Sequence, residues 1–169
     1  MLTATVEPQS ATFLPELEHE IILTRRVLER LPAASFDWQP HPKSMPLGRL
    51  ATHTADMMSF LATTMQTQEI DLANELDVYQ PATTPADVLQ RLADGGEAAK
   101  QALAAADDEA FGLVWTMRNG QHVITAQPRR EVVRHLISHM VHHRAQLMVY
   151  LRLLDVPVPA IYGPSADEA

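Results

Sequence analysis

The chain has 169 residues, 46% of them hydrophobic, which suits one domain over residues 1–169 with one core. Its net charge of -8, with no block of Lys or Arg, argues against a nucleic-acid or anionic-membrane surface, and no stretch approaches the ~20 apolar residues of a membrane span. Cysteine is absent, which excludes disulfides, thiolate ligands and a cysteine nucleophile, so a metal site here must use His, Asp or Glu.

In chain order, Leu14, Leu17, Ile21, Thr24, Leu28 and Leu31 recur in threes and fours and predict a first helix, begun by Pro15 and ended by Pro32. Proline neighbours surround Trp38, His41 and Lys43 in the segment from Phe36 to Met45. Leu47, Leu50, His53, Met57, Phe60 and Leu61 predict a second helix, with Ser44 as its N-cap and Pro46 in its first turn. Thr84-Pro85-Ala86-Asp87 reads as a cap, a first-turn proline and an acidic third residue. The third helix then follows Leu89, Leu92, Gly96, Ala99, Leu103 and Ala106. Gly95-Gly96 inside it marks either close packing or a bend. Asn119-Gly120 between two β-prone runs predicts a hairpin from Leu113 to Thr125, because both residues tolerate positive φ. A fourth helix runs from about Pro128 to Leu154, stopped by Asp155 and Pro157, and the tail after it is extended. The pattern predicts an all-α fold, a four-helix bundle with a small hairpin between helices 3 and 4. With no basic segment and apolar run at the N-terminus, the expected location is the cytoplasm.

The fourth helix carries the chemistry. His135, His139, His142 and His143 crowd into it, and two of them share a face with Val132, Leu136, Leu147 and Leu154. His139 and His143 stand four apart, one turn above each other, so both imidazoles can turn toward one ion. Buried imidazoles without partners would cost several kcal/mol in unmet hydrogen bonds, of the order usual for a buried polar group. His135 and His143 lie about 12 Å apart along the axis and cannot share one ion, so spacing leaves the pair as 135/139 or 139/143. His53, on the apolar stripe of the second helix, is the candidate third ligand. Three nitrogens from two walls leave a coordination position open, the pattern of a catalytic metal site. A lone histidine on such a face is more often a satisfied core residue; three in two stripes are harder to dismiss. His142 faces away and reads as surface or outer support. Asp56 and Gln146 lie near enough in sequence to orient a ligand.

Rival sites have weaker support. A carboxylate di-iron bundle needs Glu-x-x-His on two helices, and only Glu16 and His19 supply it. His19-Glu20 begins a zinc-protease motif that is not completed, and no nucleophile-elbow sequence is present. Glu16, His19 and Glu20 therefore read as a surface face. Trp38, Trp115, Met57, Met58 and Met140 read as packing residues.

The run from His135 through His139 and His143 to Gln146, the tail from Tyr150 to Gly163, and the stretch from Trp38 to His53 together resemble the DinB family. The resemblance covers nearly the whole chain in motif order. It implies a four-helix bundle with up-down-down-up connections, frequently a homodimer. It implies metal ligands at His53, His139 and His143, and one divalent ion (zinc, nickel, iron or manganese). Enzymes of that family include mycothiol-dependent maleylpyruvate isomerase and bacillithiol transferases, which use a low-molecular-weight thiol. The resemblance thus points to a metal-dependent thiol transferase or isomerase acting on a small molecule. The alternatives are a non-catalytic stress-response bundle and a hydrolase using metal-activated water.

Overall fold

The structure, a computed structural model, describes residues 7–75 and 80–168. Among the described residues six α-helices, one 3-10 turn (Ala33–Ser35) and a three-stranded sheet make the fold mostly helical. Four of the helices are long: α1 (Gln9–Leu28), α2 (Leu47–Gln66), α4 (Pro85–Ala105) and α6 (Arg129–Leu153). Helix α1 packs against α4 and α6, and α2 packs against the same two. Leu17, Leu61, Leu92, Leu103, Val133 and Met140 fill the space between them. Among the described residues no helix is long and apolar enough to cross a membrane.

Helix α1 begins earlier than its apolar period predicts, and Pro15 lies inside it. Its first N–H is capped from a distance, since Gln9 N donates to Asp108 Oδ1 at 2.8 Å. Pro15 removes the bond to the Ala11 carbonyl, but both residues are exposed and water can take that carbonyl. Helix α2 likewise lacks the expected Ser44 cap, and Pro46 occupies the N-cap position. Its first donors go to the preceding loop: Leu47 N to Trp38 O and Gly48 N to Phe36 O, each 2.9 Å. Backbone carbonyls thus do what a side-chain cap would have done. Inside α2 the buried Thr52, Thr54 and Thr64 each donate to the carbonyl four residues back, at 2.7, 2.7 and 3.0 Å.

Helix α4 starts as expected, with Thr84 Oγ accepting from Asp87 N at 3.1 Å. The glycine pair is a packing point. A Cβ at Gly95 would stand 2.6 Å from Ser59 Oγ and 2.8 Å from Ser59 N, so only glycine lets α4 lie this close to α2. At Gly96 the nearest atom would be Ile21 Cδ1, at 3.1 Å, on α1. Helix α6 ends where expected. Asp155 takes φ +56°, Val156 N bonds to Leu151 O at 2.9 Å, and Asp155 N bonds to Arg152 O at 3.2 Å.

The hairpin is longer than predicted and has a different turn. Strands β2 (Val114–Asn119) and β3 (His122–Pro128) are antiparallel, and Gly120-Gln121 forms the loop. Only Gly120 has positive φ, at +58°; Asn119 closes the ladder opposite His122. That is the φ pattern of a type II′ turn, with glycine first, and the loop lies one residue later than the expected Asn119-Gly120. Ile124 is left unpaired where the register slips between Met117 and Arg118. A strand the sequence did not reveal, β1 (Glu69–Asp71), runs parallel to β2. Short helices α3 (Leu72–Glu75) and α5 (Asp108–Gly112) complete the set.

The sheet is tied directly to two long helices. Only Thr67 and Gln68 separate α2 from β1, and β3 runs into α6 without a loop. Trp115 Nε1 donates to Thr67 Oγ1 at 3.1 Å, Thr116 N to Gln68 O at 3.1 Å, and Arg129 Nη2 to Thr67 O at 2.7 Å.

Candidate metal centre

His53 comes from α2, and His139 and His143 from α6. The helical period that carries Leu50 and Met57 inward carries His53 with them, and the four-residue step places His143 over His139. One ring nitrogen from each of the three lies within 4.8 Å of the others. Ring centroids are 5.3 Å apart for His53–His139, 4.8 Å for His53–His143 and 4.5 Å for His139–His143. The Nε2 atoms of His139 and His143 face each other at 2.7 Å. The pairing that spacing left open is therefore 139/143 in space.

Gln146 Oε1 lies 2.7 Å from His143 Nδ1. With the amide oxygen so assigned, Nδ1 carries the proton and the Nε2 lone pair points at the other histidines. Asp56, the other candidate for that role, instead meets Arg91 Nη1 at 3.2 Å. His142 is exposed, as expected. His135 is exposed too, but its ring is 5.5 Å from that of His139 and lines the same cavity.

The site disfavours protons. Burial, then His143 and His53, holds His139 down at about 4 against an ordinary 6.5. Burial and His143 lower His53, and burial lowers His143 against the opposing hydrogen bond that His143 donates to Gln146. In the unfolded chain these imidazoles take up protons near pH 6.5, whereas the folded protein resists them. Their contribution to stability is complete above pH 6.5 and is lost as pH falls toward about 4. Chelator-treated protein should therefore melt at lower temperature as pH drops through that window. The drop should shrink in His139→Ala; an equal drop in that variant would count against the assignment.

Beside the histidines lies a cavity of about 980 Å³, open on one side. His53 and His139 stand in its wall, and Met57, Phe60, Leu136, Trp115 and Met117 make much of the rest. Trp115 is thus both packed, at 1% exposure and edge-on to Phe60, and part of the cavity surface.

The DinB family model matches residues 1–169, the whole chain. This chain belongs to the DinB family. It is 29% identical over 161 residues to the uncharacterized protein YrdA of Bacillus subtilis (strain 168), covering 92% of this chain and 89% of that one. A DinB-like protein from Bacillus cereus ATCC 10987 has a similar structure, with TM-score 0.70, 21% identity and coverage of 89% and 95%. The DinB-like protein YjoA from Bacillus subtilis gives TM-score 0.67, 17% identity and coverage of 88% and 96%.

In this DinB chain one buried polar group was missed from sequence. Glu20 is buried, at 6% exposure, and Arg144 is at 1%. Arg144 Nη1 meets Glu20 Oε2 at 2.6 Å, and Tyr162 from the tail donates to Glu20 Oε1 at 2.7 Å. Reading Glu20 as surface is therefore wrong, whereas His19 is exposed. Glu16 is engaged by Arg134. The available signal was the same one that picks out the histidines. Glu20 lies three after Leu17 and four before Thr24, and Arg144 lies four after Met140 and three before Leu147, so each interrupts an apolar stripe.

Proposed function

We propose that the protein binds one divalent metal ion through His53, His139 and His143 and uses it to activate a small thiol for transfer to an electrophilic substrate. The observation that carries this reading is the convergence of three imidazole nitrogens beside a cavity that His53 and His139 line. The donor set fits a zinc-like divalent ion. The imidazoles favour their neutral, ligating form, one of them is oriented by Gln146, and the cluster holds no carboxylate. A divalent ion held there by neutral ligands lowers the pKa of a coordinating thiol.

The chain's own residues do the rest. Gln146 keeps the His143 Nε2 lone pair aimed inward. Apolar walls from Met57, Phe60 and Leu136 exclude water, which strengthens charge attraction inside. With no cysteine in the chain, the sulfur comes from a cosubstrate. Its S–H proton is lost to solvent before attack, and as the carbon–sulfur bond forms the substrate's leaving group departs with the electron pair of the bond it breaks.

The same reading takes the four long helices as an up-down-down-up bundle and the protein as a homodimer. The ring of contacts α1–α4–α2–α6 supports the first. The exposed Ile22, Val149 and Leu153 on α1 and α6 support the second, and sedimentation at monomer mass would remove it.

Cobalt-substituted protein tests the mechanism. Adding bacillithiol, mycothiol, glutathione or coenzyme A should give a sulfur-to-metal charge-transfer band with at least one of them. If all four leave the spectrum unchanged, thiol transfer gives way to hydrolysis or a non-catalytic role.

A further inference from the structure

The cavity is a slot with two ends. Along α2 it is lined from His53 through Met57 and Phe60 to Thr63, ten helical steps that span about 15 Å at 1.5 Å each. Along α6 it is lined from His139 back to Val132. These helices run in opposite senses here, since His53 meets His139 at one end while Arg129 reaches the Thr67 carbonyl at the other. Met117 and Ile124 of the sheet lie over the span between. The histidine triad thus lies at one end, His135 stands partway along α6, and among the described residues Thr63 and Val132 at the far end bring no charge of their own.

The slot's fixed charges are already matched. Arg91 Nη1 meets both carboxylate oxygens of Asp56, at 3.2 and 3.3 Å, and Nη2 donates to the Gln80 carbonyl at 2.7 Å. A charged ligand body would leave water with nothing to replace it, whereas an apolar body loses nothing. The volume, about 980 Å³, lies at the top of the roughly 300–1,000 Å³ usual for small-molecule sites. A compact thiol would fill only part of it.

We infer that the slot selects a substrate with an uncharged, elongated apolar body, about as long as a ten-carbon chain, whose reacting end lies at the histidines. This rests on the proposed metal site only for the identity of the reacting end; the selection of the body belongs to Thr63, Phe60, Met117 and Ile124.

Linear primary alcohols from butanol to decanol, displacing Nile red, measure that selection without any thiol or electrophile. Affinity should rise about two- to four-fold per added methylene, as burial of each one predicts. Thr63→Phe should fill the far end. Its hydroxyl bonds only within its own helix, to Ser59 O at 3.1 Å, so the fold loses little. Butanol should then bind as before, while the gain per methylene should stop short of decanol. Ile124→Asp, at the exposed bulge, should weaken decanol more than butanol. The series is run on metal-loaded and chelator-treated protein. A length dependence that survives in protein shown to take up no metal would leave the slot standing and remove the metal reading. An affinity flat from butanol to decanol, or decanol binding unchanged in both variants, would overturn the inference.

Discussion

Alanine at His139 is expected to leave the protein without stoichiometric metal, while His142→Ala and His135→Ala keep it. His139 supplies one of the three converging nitrogens, and its Nε2 faces that of His143 at 2.7 Å. Its loss leaves His53 and His143 as two nitrogens from different helices, short of the three protein ligands usual in catalytic zinc sites. Because His139 is only half-buried, the helix should remain intact, and circular dichroism can show that it does. Gln146→Leu frees His143 to choose either tautomer and should weaken binding about 10–100-fold, the usual cost of losing an orienting partner. Elemental analysis of untagged protein reads both effects. Metal at one equivalent in His139→Ala would end the assignment.

The second large effect is on stability. Arg144→Met should cost about 3–5 kcal/mol in urea unfolding, because it strands Glu20 as a buried charge. Glu20 Oε2 would lose its partner at 2.6 Å, and Tyr162 would lose the Arg144 Nη2 that donates to its hydroxyl at 2.6 Å. The pair need not be intrinsically stabilising. Replacing both groups together, Glu20→Leu with Arg144→Met, should recover much of the loss, since paired burial costs desolvation on each side. Tyr162→Phe removes the hydrogen bond it donates to Glu20 and the one it accepts from Arg144 but keeps the ion pair, and should cost less, about 1.5–3 kcal/mol. An unfolding midpoint unmoved in Arg144→Met would show that the pair is not buried as described.

The long helices and the convergence of His53 with the fourth helix were legible because burial imposes a period, and polar residues inside that period stand out. The same reasoning reached Thr84 as a cap and offered Gln146, alongside Asp56, as near enough to orient a ligand; the Thr84 and Gln146 contacts are local, whereas Asp56 goes to Arg91. What it missed was non-local. The start of α1 depends on Asp108 reaching Gln9, and the start of α2 on carbonyls of Phe36 and Trp38. Strand β1 is three residues long, Glu69-Ile70-Asp71, too short to show alternation, and forms beside β2 from far along the chain. The turn's position failed for a different reason: both residues of Asn-Gly tolerate positive φ, but the strands close one residue later, around Gly120-Gln121. Glu20 and Arg144 were readable by the criterion applied to the histidines, but charge made the surface the default for both.

The sheet beside the cavity is held at one end of its strands. It joins α2 through two residues and α6 through none, and Thr67 is held by both Trp115 and Arg129. Glu69 pairs with Thr116 and Thr116 with Ala126, so both ties lie at the end of the strands away from the Gly120 turn. Rocking about that end would change the width of the slot beneath the turn while α2 and α6 stay in place. In stopped-flow mixing, an observed rate that levels off with ligand concentration would report such rocking, and one that climbs in proportion without a plateau would report a fixed wall.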